Sequence, residues 1–281
     1  MIARLRPFAV VALAISLVAA CGGPPAVPEL TDPIEILEAA TTQAATSQSV
    51  HVDVAADGTL QLDLMGTGTA APLSLTDSTV ALDLDIADGA AKATFALPGI
   101  LGLRGELIAV EGNTYIKTTL TGPLYQKSAV TATPDPEPAG SPDPSAIAEM
   151  VGQLRDTLEK PGVDPVKGED AACGSATCYT VTIQLTPAEL TALGLDTGDL
   201  GLPSGLPIPV PDVGDQTIDL TVRVDKLTTR LAGLTVAIGG GATGDVTAEL
   251  TFSKWDEDLT ITAPPIDQVN GRLTGAVVTG P

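Results

Sequence analysis

The sequence predicts an α+β domain in which antiparallel β-meanders are combined with a few amphipathic helices. Three observations predict it. Apolar and polar residues alternate with a period of two in a series of segments separated by glycine-containing turns, the mark of strands with one wet face. Shorter stretches place apolar residues at helical spacing behind a capping residue and a proline. The chain is 44% apolar but only 2% aromatic, so any core or pocket is built from Leu, Val, Ile and Ala.

The first 20 residues read as an export signal. Arg4 and Arg6 give a positive start, Phe8 to Val18 a short apolar core, and Ala19 and Ala20 small residues for a peptidase. The apolar run is too short to span a bilayer comfortably. Val18, Ala19, Ala20 and Cys21 resemble the bacterial lipobox, which implies that Cys21 is acylated and becomes the first residue of the mature protein. The expected location is the outer face of the cell membrane, with lipidated Cys21 as the anchor. Residues 21–31 then form a Gly/Pro-containing tether that reaches about 30 Å at roughly 3.3 Å per residue.

Signal removal takes two of the 14 basic residues and none of the 35 acidic ones, leaving 12 against 35 and a formal charge of −23. Such a surface excludes nucleic acid as a partner. The acids are scattered among Thr and Gly, as on a self-repelling solvated surface, and do not form a block.

Within residues 32–265, the expected single domain, "TDPIEILEAATTQAAT" predicts a short helix capped by Asp32, with Pro33 in the first turn and Glu35 in a capping-box position. From Ser49 the period becomes two. Val50, Val52 and Val54 point one way and Ser49, His51 and Asp53 the other; Asp57 and Gly58 suggest a hairpin turn, followed by Leu60, Leu62 and Leu64. Leu82, Leu84 and Ile86 oppose Asp83 and Asp85 on a strand ending at Asp88 and Gly89. The pattern returns in "GELIAVEGNTYIKTTL", turning at Glu111, Gly112 and Asn113.

The proline-dense "TATPDPEPAGSPDP" reads as a loop. After it, Ile147, Met150, Val151, Leu154 and Leu158 fall at helical spacing, with Asp143 as cap and Lys160, Pro161 and Gly162 as stop. The strand "CYTVTIQL" leads to a further helix start at Thr186. A second meander follows: "TIDLTVRVD", "RLAGLTVAI", "DVTAELTFSKW" and "LTITAPP". Residues 266–281 are expected to be a C-terminal tail.

These segments, taken in order, resemble the mycobacterial LppX/LprA/LprF/LprG lipoprotein family. The residues that carry the resemblance are the lipobox, the helix followed by "SVHVDV", the "VEGNTYIKT" hairpin, "VRVDKLTTRLAGLTV" and "LTFSKWDEDLTITAPP". The Cys173/Cys178 pair, the proline loop and the tail depart from the family pattern. The resemblance implies a strongly curved antiparallel sheet, a half-open β-barrel, with helices on its concave face enclosing an aliphatic cavity. It further implies binding of an acylated lipid or glycolipid, carriage between envelope layers, and room for a membrane lipid transporter as partner. On that view Val52, Val54, Leu60, Leu62, Leu64, Leu82, Leu84, Ile86, Ile147, Met150, Val151, Leu154, Val181, Ile183, Ile218, Leu220 and Val222 line the cavity. By periodicity alone the same residues equally fill a solid core. The alternative function is then a structural or interaction lipoprotein whose acidic exterior binds a protein or a cell-wall component.

The segment "GLDTGDLGLPSGLPIPVPDVGD" sets Leu202, Leu206, Ile208 and Val210 among glycines and prolines, too apolar for an ordinary solvated loop. Two readings stand: an entrance rim, or packing along the sheet edge. Replacing Leu206 and Ile208 with Asp is expected to slow lipid uptake if the first holds.

Catalytic chemistry is not expected. The one histidine, His51, sits on the polar face of a strand, as a solvated surface residue does, and the chain has no Gly-x-Ser-x-Gly elbow, phosphate loop or dinucleotide fingerprint. Asp83 and Asp85 fit a wet strand surface better than a glycosidase pair. In an exported chain Cys173 and Cys178, with four residues between them, are expected to form a disulfide; two cysteines and one distant histidine do not complete a metal site. No cofactor and no metal are expected.

Overall fold

The computed structural model describes residues 29–62, 71–129, 158, 163–186, 217–241 and 244–270. The chain divides into Met1–Leu30, of which Glu29 and Leu30 are described, and Thr31–Pro281, which holds everything below.

Helix α1 (Pro33–Thr46) begins as its sequence dictates: the Asp32 carboxylate accepts the Ile34 amide at 2.8 Å, and Pro33 fills the first turn. The helix ends where the segment read from the sequence ends, at Thr46. It runs 14 residues, because alanines and threonines carry it on; the Thr41 and Ser47 hydroxyls donate to the carbonyls of Leu37 and Gln43, both at 2.8 Å. Ile36, Leu37 and Ala40 are its buried stripe.

The rest is one open, curved sheet. Its strands are β1 (Ser49–Leu62), β2 (Ala71–Ser74), β3 (Ser78–Asp85), β4 (Ala90–Leu97), β5 (Leu103–Val110), β6 (Asn113–Thr118), β7 (Tyr125–Ala129), β8 (Val166–Lys167), β9 (Ala171–Cys173), β10 (Ala176–Leu185), β11 (Ile218–Asp225), β12 (Leu231–Gly241), β13 (Gly244–Ser253) and β14 (Val269–Asn270). The order across the sheet is β14-β7-β6-β5-β4-β3-β1-β13-β12-β11-β10-β8, with β2 on β1 and β9 on β10. The two meanders expected from sequence are therefore halves of one sheet, joined where β1 pairs with both β3 and β13. Every pairing is antiparallel except β14 with β7, and the ends do not meet, so there is no closed barrel.

The turns follow local chemistry. Between β5 and β6, Glu111 (φ 52°) and Gly112 (φ 68°) form a two-residue loop of the left-handed kind that matches strand twist. Asp225 Oδ1 accepts the Leu227 and Thr228 amides at 2.8 Å each, shaping the β11–β12 turn. Arg230 in that turn pairs with Asp256, and the Trp255 indole donates to the Leu231 carbonyl at 3.0 Å. The "KLTTR" and "SKWD" motifs thus tie the β11–β12 turn to the end of β13.

Two strand expectations need correction. Asp57 and Gly58 are not a hairpin turn: β1 continues through them to Leu62 and exchanges partners there, from β13 and β3 to β2. Gly58 (φ 116°) bends the strand where Asp245 approaches so closely that a Cβ would lie 2.1 Å from its carbonyl oxygen. "LTITAPP" is not a strand; Ile261 instead packs its side chain on a small cluster of Ile108, Tyr115 and Tyr125. Past Pro265, a 3₁₀ turn at Ile266–Gln268 leads into β14, which adds to the sheet edge beside β7.

The main core lies where α1 packs against β10, β11 and β12. Its fully buried side chains include Ile36, Tyr179, Val181, Leu185, Ile218 and Val224, while Cys178 is buried on the other side of β10.

Candidate functional site

Register decides which residues share a face, because successive side chains on a strand alternate. One row runs Val181, Val222, Leu234, Leu250, Val54, Val80, Phe95 and Gly105, each directly opposite the next. A second row on the same face runs Ile183, Leu220, Val236, Ala248, Ala56 and Ser78. A third runs Phe252, Val52, Leu82, Ala93 and Leu107. None of these residues is charged. At about 4.8 Å between strands, the eight strands from β10 to β5 give this aliphatic face a breadth of roughly 34 Å.

Of the expected cavity residues, Val52, Val181, Ile183, Ile218 and Val222 lie on this face and are buried; Val54, Leu82, Leu84 and Leu220 lie on it half-buried. Ile86 does not belong to it. The residue follows the end of β3, in a turn where its amide donates to the Gln48 carbonyl at 2.8 Å, and its side chain is exposed. Leu60 and Leu62 are in β1, but their side chains lie outside the described residues, as do Leu64, Ile147, Met150, Val151, Leu154, the segment with Leu202, Leu206, Ile208 and Val210, and Cys21. Val80, Phe95, Leu107, Leu234, Val236 and Leu250 join the face without having been singled out, although the same alternation marks each of them.

The opposite face is polar over β1, β3 and β4, gives way to the buried cluster of Ile108, Tyr115 and Tyr125 over β5 to β7, and differs from expectation at His51. Its position on that face is as predicted, but the ring is not solvated: the side chain is 15% exposed, with Nδ1 2.6 Å from Asp83 Oδ1 and Nε2 3.2 Å from Asp53 Oδ2. The alternation that puts His51 outward also puts two carboxylates around it. Farther along, the Tyr125 hydroxyl donates to Glu106 at 2.7 Å and accepts from Lys117 at 3.1 Å, while Lys92 reaches Glu106 at 3.2 Å. Burial alone pushes the Glu106 carboxyl up, but the hydrogen bonds from Tyr125, Lys92 and Lys117 and the Lys92 charge outweigh it and hold it below 4.5. Burial, and the hydrogen bond to Glu106, push Tyr125 above 10.0.

A groove of about 420 Å³ also crosses the polar face over β13, β1, β3 and β4. Asp53, Val54, Ala55, Thr79, Val80, Ala81, Thr94, Phe95, Ala96, Glu249 and Thr251 line it; all but Val54, Val80 and Phe95 alternate onto the polar face, so it is not the aliphatic cavity that the family resemblance implies.

At the β10 edge the aliphatic face ends at Tyr179, whose ring lies beneath the ammonium groups of Lys226 and Lys167, 4.9 and 5.6 Å from its centroid. Asp170 binds both lysines, at 2.6 and 3.4 Å, and the Lys226 hydrogen bond is the main reason its carboxyl titrates below 3.8. Cys173 and Cys178 form the expected disulfide, diagonally across the β9–β10 pair with Cα atoms 5.9 Å apart. Among the described residues no cluster of His, Cys, Asp or Glu is placed to hold a metal ion, and no helix is long and apolar enough to cross a membrane.

No protein-family model and no curated protein matches the chain. Among solved structures it is similar to LprF from Mycobacterium bovis, at 16% identity over 85% of this chain and 99% of that one, with a TM-score of 0.48. It is similar to the lipoprotein LppX from Mycobacterium tuberculosis at 17% identity over 83% of this chain and 100% of that one, with a TM-score of 0.44. MucB in the MucA/MucB complex of Pseudomonas aeruginosa matches at 14% identity over 86% of this chain and 62% of that one, with a TM-score of 0.30. These likenesses are too distant to assign a ligand, so the functional reading rests on the site.

Proposed function

We propose that the chain is an exported lipoprotein, anchored through acylated Cys21, that binds multi-acylated lipids against the aliphatic face of its sheet and carries them between envelope layers. The observation that carries this reading is the uncharged face from β10 to β5. Helix α1 contacts β10, β11 and β12, while over β1 and β3 the side chains of Val54, Val80, Leu82 and Leu84 stay half-buried. An acyl chain of about 16 methylenes costs on the order of 13 kcal/mol to hold in water, so a lipid with two or three chains crosses an aqueous gap only if nearly all of that surface is covered. Flexible aliphatic walls accept chains of varied length, in keeping with the shortage of aromatic residues. The protein acts by binding and not by chemistry: both ring nitrogens of His51 are engaged by carboxylates, those of Asp83 and Asp53, which leaves neither to activate the Ser253 hydroxyl opposite it on β13.

The test is native mass spectrometry with organic extraction of residues 22–281, secreted without the acylated cysteine. A stoichiometric di- or triacyl lipid is expected, and Leu82→Asp with Leu220→Asp is expected to abolish it by placing charge on the binding face. A bare protein that also refuses added lipid would overturn the proposal in favour of a filled core and an interaction role.

A further inference from the structure

The sheet is markedly asymmetric in where it exposes large aliphatic side chains. Leu101 is 89% exposed, Leu120 67%, Leu124 39% and Ile266 92%. Leu101 lies in the β4–β5 turn, Leu120 and Leu124 in the β6–β7 turn, and Ile266 in the 3₁₀ turn before β14. Antiparallel pairing brings the first two turns to the same end of the sheet. The third joins them because β14 runs parallel to β7, with Val269 opposite Tyr125. The first two touch: the Thr119 amide donates to the Arg104 carbonyl at 2.9 Å, and the Arg104 amide to the Thr119 hydroxyl at 3.3 Å. The strands β4, β5, β6, β7 and β14 are successive neighbours, so these tips spread over roughly 19 Å at about 4.8 Å per strand.

Folding does not account for these side chains. Leu101 has φ 52°, a left-handed backbone that glycine or asparagine adopts far more readily than leucine, and its side chain is almost wholly in water. The charge distribution is equally selective. Residues 97–106, 117–128 and 262–268 hold three cations (Arg104, Lys117 and Lys127) and two carboxylates (Asp267, and Glu106, which pairs with Lys117), in a chain of net charge −21. The opposite end of the same sheet exposes Leu227 and Ile86, but there the turns and the end of β13 bring six acids, Asp85, Asp88, Asp225, Asp256, Glu257 and Asp258, against three cations, Lys226, Arg230 and Lys254.

From this we infer that the corner formed by the β4–β5, β6–β7 and pre-β14 turns is a docking surface for an anionic bilayer. Leu101, Leu120 and Ile266 insert at the headgroup boundary, and Arg104 meets lipid phosphates. Exposed aliphatic tips beside Arg104, with Asp267 the one carboxylate in the three turns, match an interface that rewards apolar insertion and attracts positive charge. Leu97 and Leu103, paired at the strand ends behind Leu101, lie on the aliphatic face, so the docked corner adjoins it. The contact is separate from the Cys21 anchor and orients the folded domain toward the membrane. It also stands without lipid on the aliphatic face, because vesicle binding and lipid content are read separately.

The test is flotation of residues 22–281 with mixed phosphatidylglycerol and phosphatidylcholine vesicles. The unmodified chain is expected to float. Leu101→Asp with Leu120→Asp is expected to lower the bound fraction roughly tenfold by charging the inserting tips, while Leu227→Asp leaves it unchanged. As a second readout, a polarity-sensitive fluorophore on Leu101→Cys shifts to the blue with vesicles and one on Leu227→Cys does not. Failure of the unmodified chain to float, or equal flotation of the Asp variants, overturns the inference. So does a sedimentation result in which the same variants only convert a dimer to a monomer, since the corner then joins two copies of the chain.

Discussion

His51 on β1 lies directly opposite Asp83 on β3, its Nδ1 2.6 Å from the Asp83 carboxylate, while Asp53 takes the other ring nitrogen at 3.2 Å. One ring thus holds two carboxylates together on a polar face. His51→Ala leaves them facing each other without their shared partner and is expected to cost about 1 kcal/mol of stability, read as a lower urea midpoint at unchanged slope. The same variant and the parent protein should show equal, background hydrolysis of model esters; a histidine-dependent rate would contradict the non-catalytic reading.

The cluster around Glu106 sets an acid limit. Its carboxyl is held below 4.5 in the folded state, so it contributes stability that is fully present above its unfolded value and lost as pH falls through the folded one. Asp170, held below 3.8 by the lysines, acts in the same direction. Melting temperature should therefore fall as pH drops below about 4.5, and Glu106→Gln should flatten part of that slope.

At the alkaline side the signs reverse. Lys117 is raised above 10.5, chiefly by its hydrogen bond with Tyr125, and Tyr125 above 10.0, chiefly by burial. Both favour the protonated form in the fold, so their contribution is complete below the unfolded values and is lost as pH rises through the folded ones. Tyr125→Phe should remove part of the stability loss above about pH 10; an unaltered alkaline profile would show that the hydrogen-bonded trio is energetically idle.

Gly58 allows β1 to bend past Asp245. In Gly58→Ala the new methyl meets a backbone oxygen at 2.1 Å on a backbone of φ 116°, so a loss of about 1 to 3 kcal/mol is expected. Denaturant titration checks it, with Gly89→Ala as a comparison, since that position is also left-handed (φ 62°) but open to solvent.

The Cys173–Cys178 disulfide closes a short loop. Cys178 is completely buried next to Tyr179. Replacing both cysteines with Ala should lower stability by about 2 kcal/mol on the loop-entropy estimate, and reduction of the parent protein should reproduce the shift.

Much of this molecule was legible locally. Alternation in "SVHVDV", "VALDLD", "YTVTIQL" and "IDLTVRV" identified strands and told their aliphatic from their polar side, because a side-chain period of two belongs to each strand alone. Asp32 and Pro33 marked a helix start for the same reason. The failures came where a local signal had more than one meaning. Asp57 and Gly58 look like a turn, but a glycine also serves where another backbone comes close, and only the position of Asp245 shows which applies. Ile86 continues the alternation of β3 in sequence, yet the strand ends at Asp85.

What the sequence by itself determined, then, is most of the long strands with their wet and dry sides, and the acidic, aromatic-poor character of the chain. Tertiary structure alone decided that β1 stands between β3 and β13, some 200 residues away in the chain, which merges two meanders into one uncharged face. It also decided that Asp53 and Asp83 enclose His51, and that Leu101, Leu120 and Ile266 come out at one corner. The physical reason is that side-chain direction is fixed by neighbouring residues, whereas strand order and register are set by burial and hydrogen bonding summed over the whole sheet.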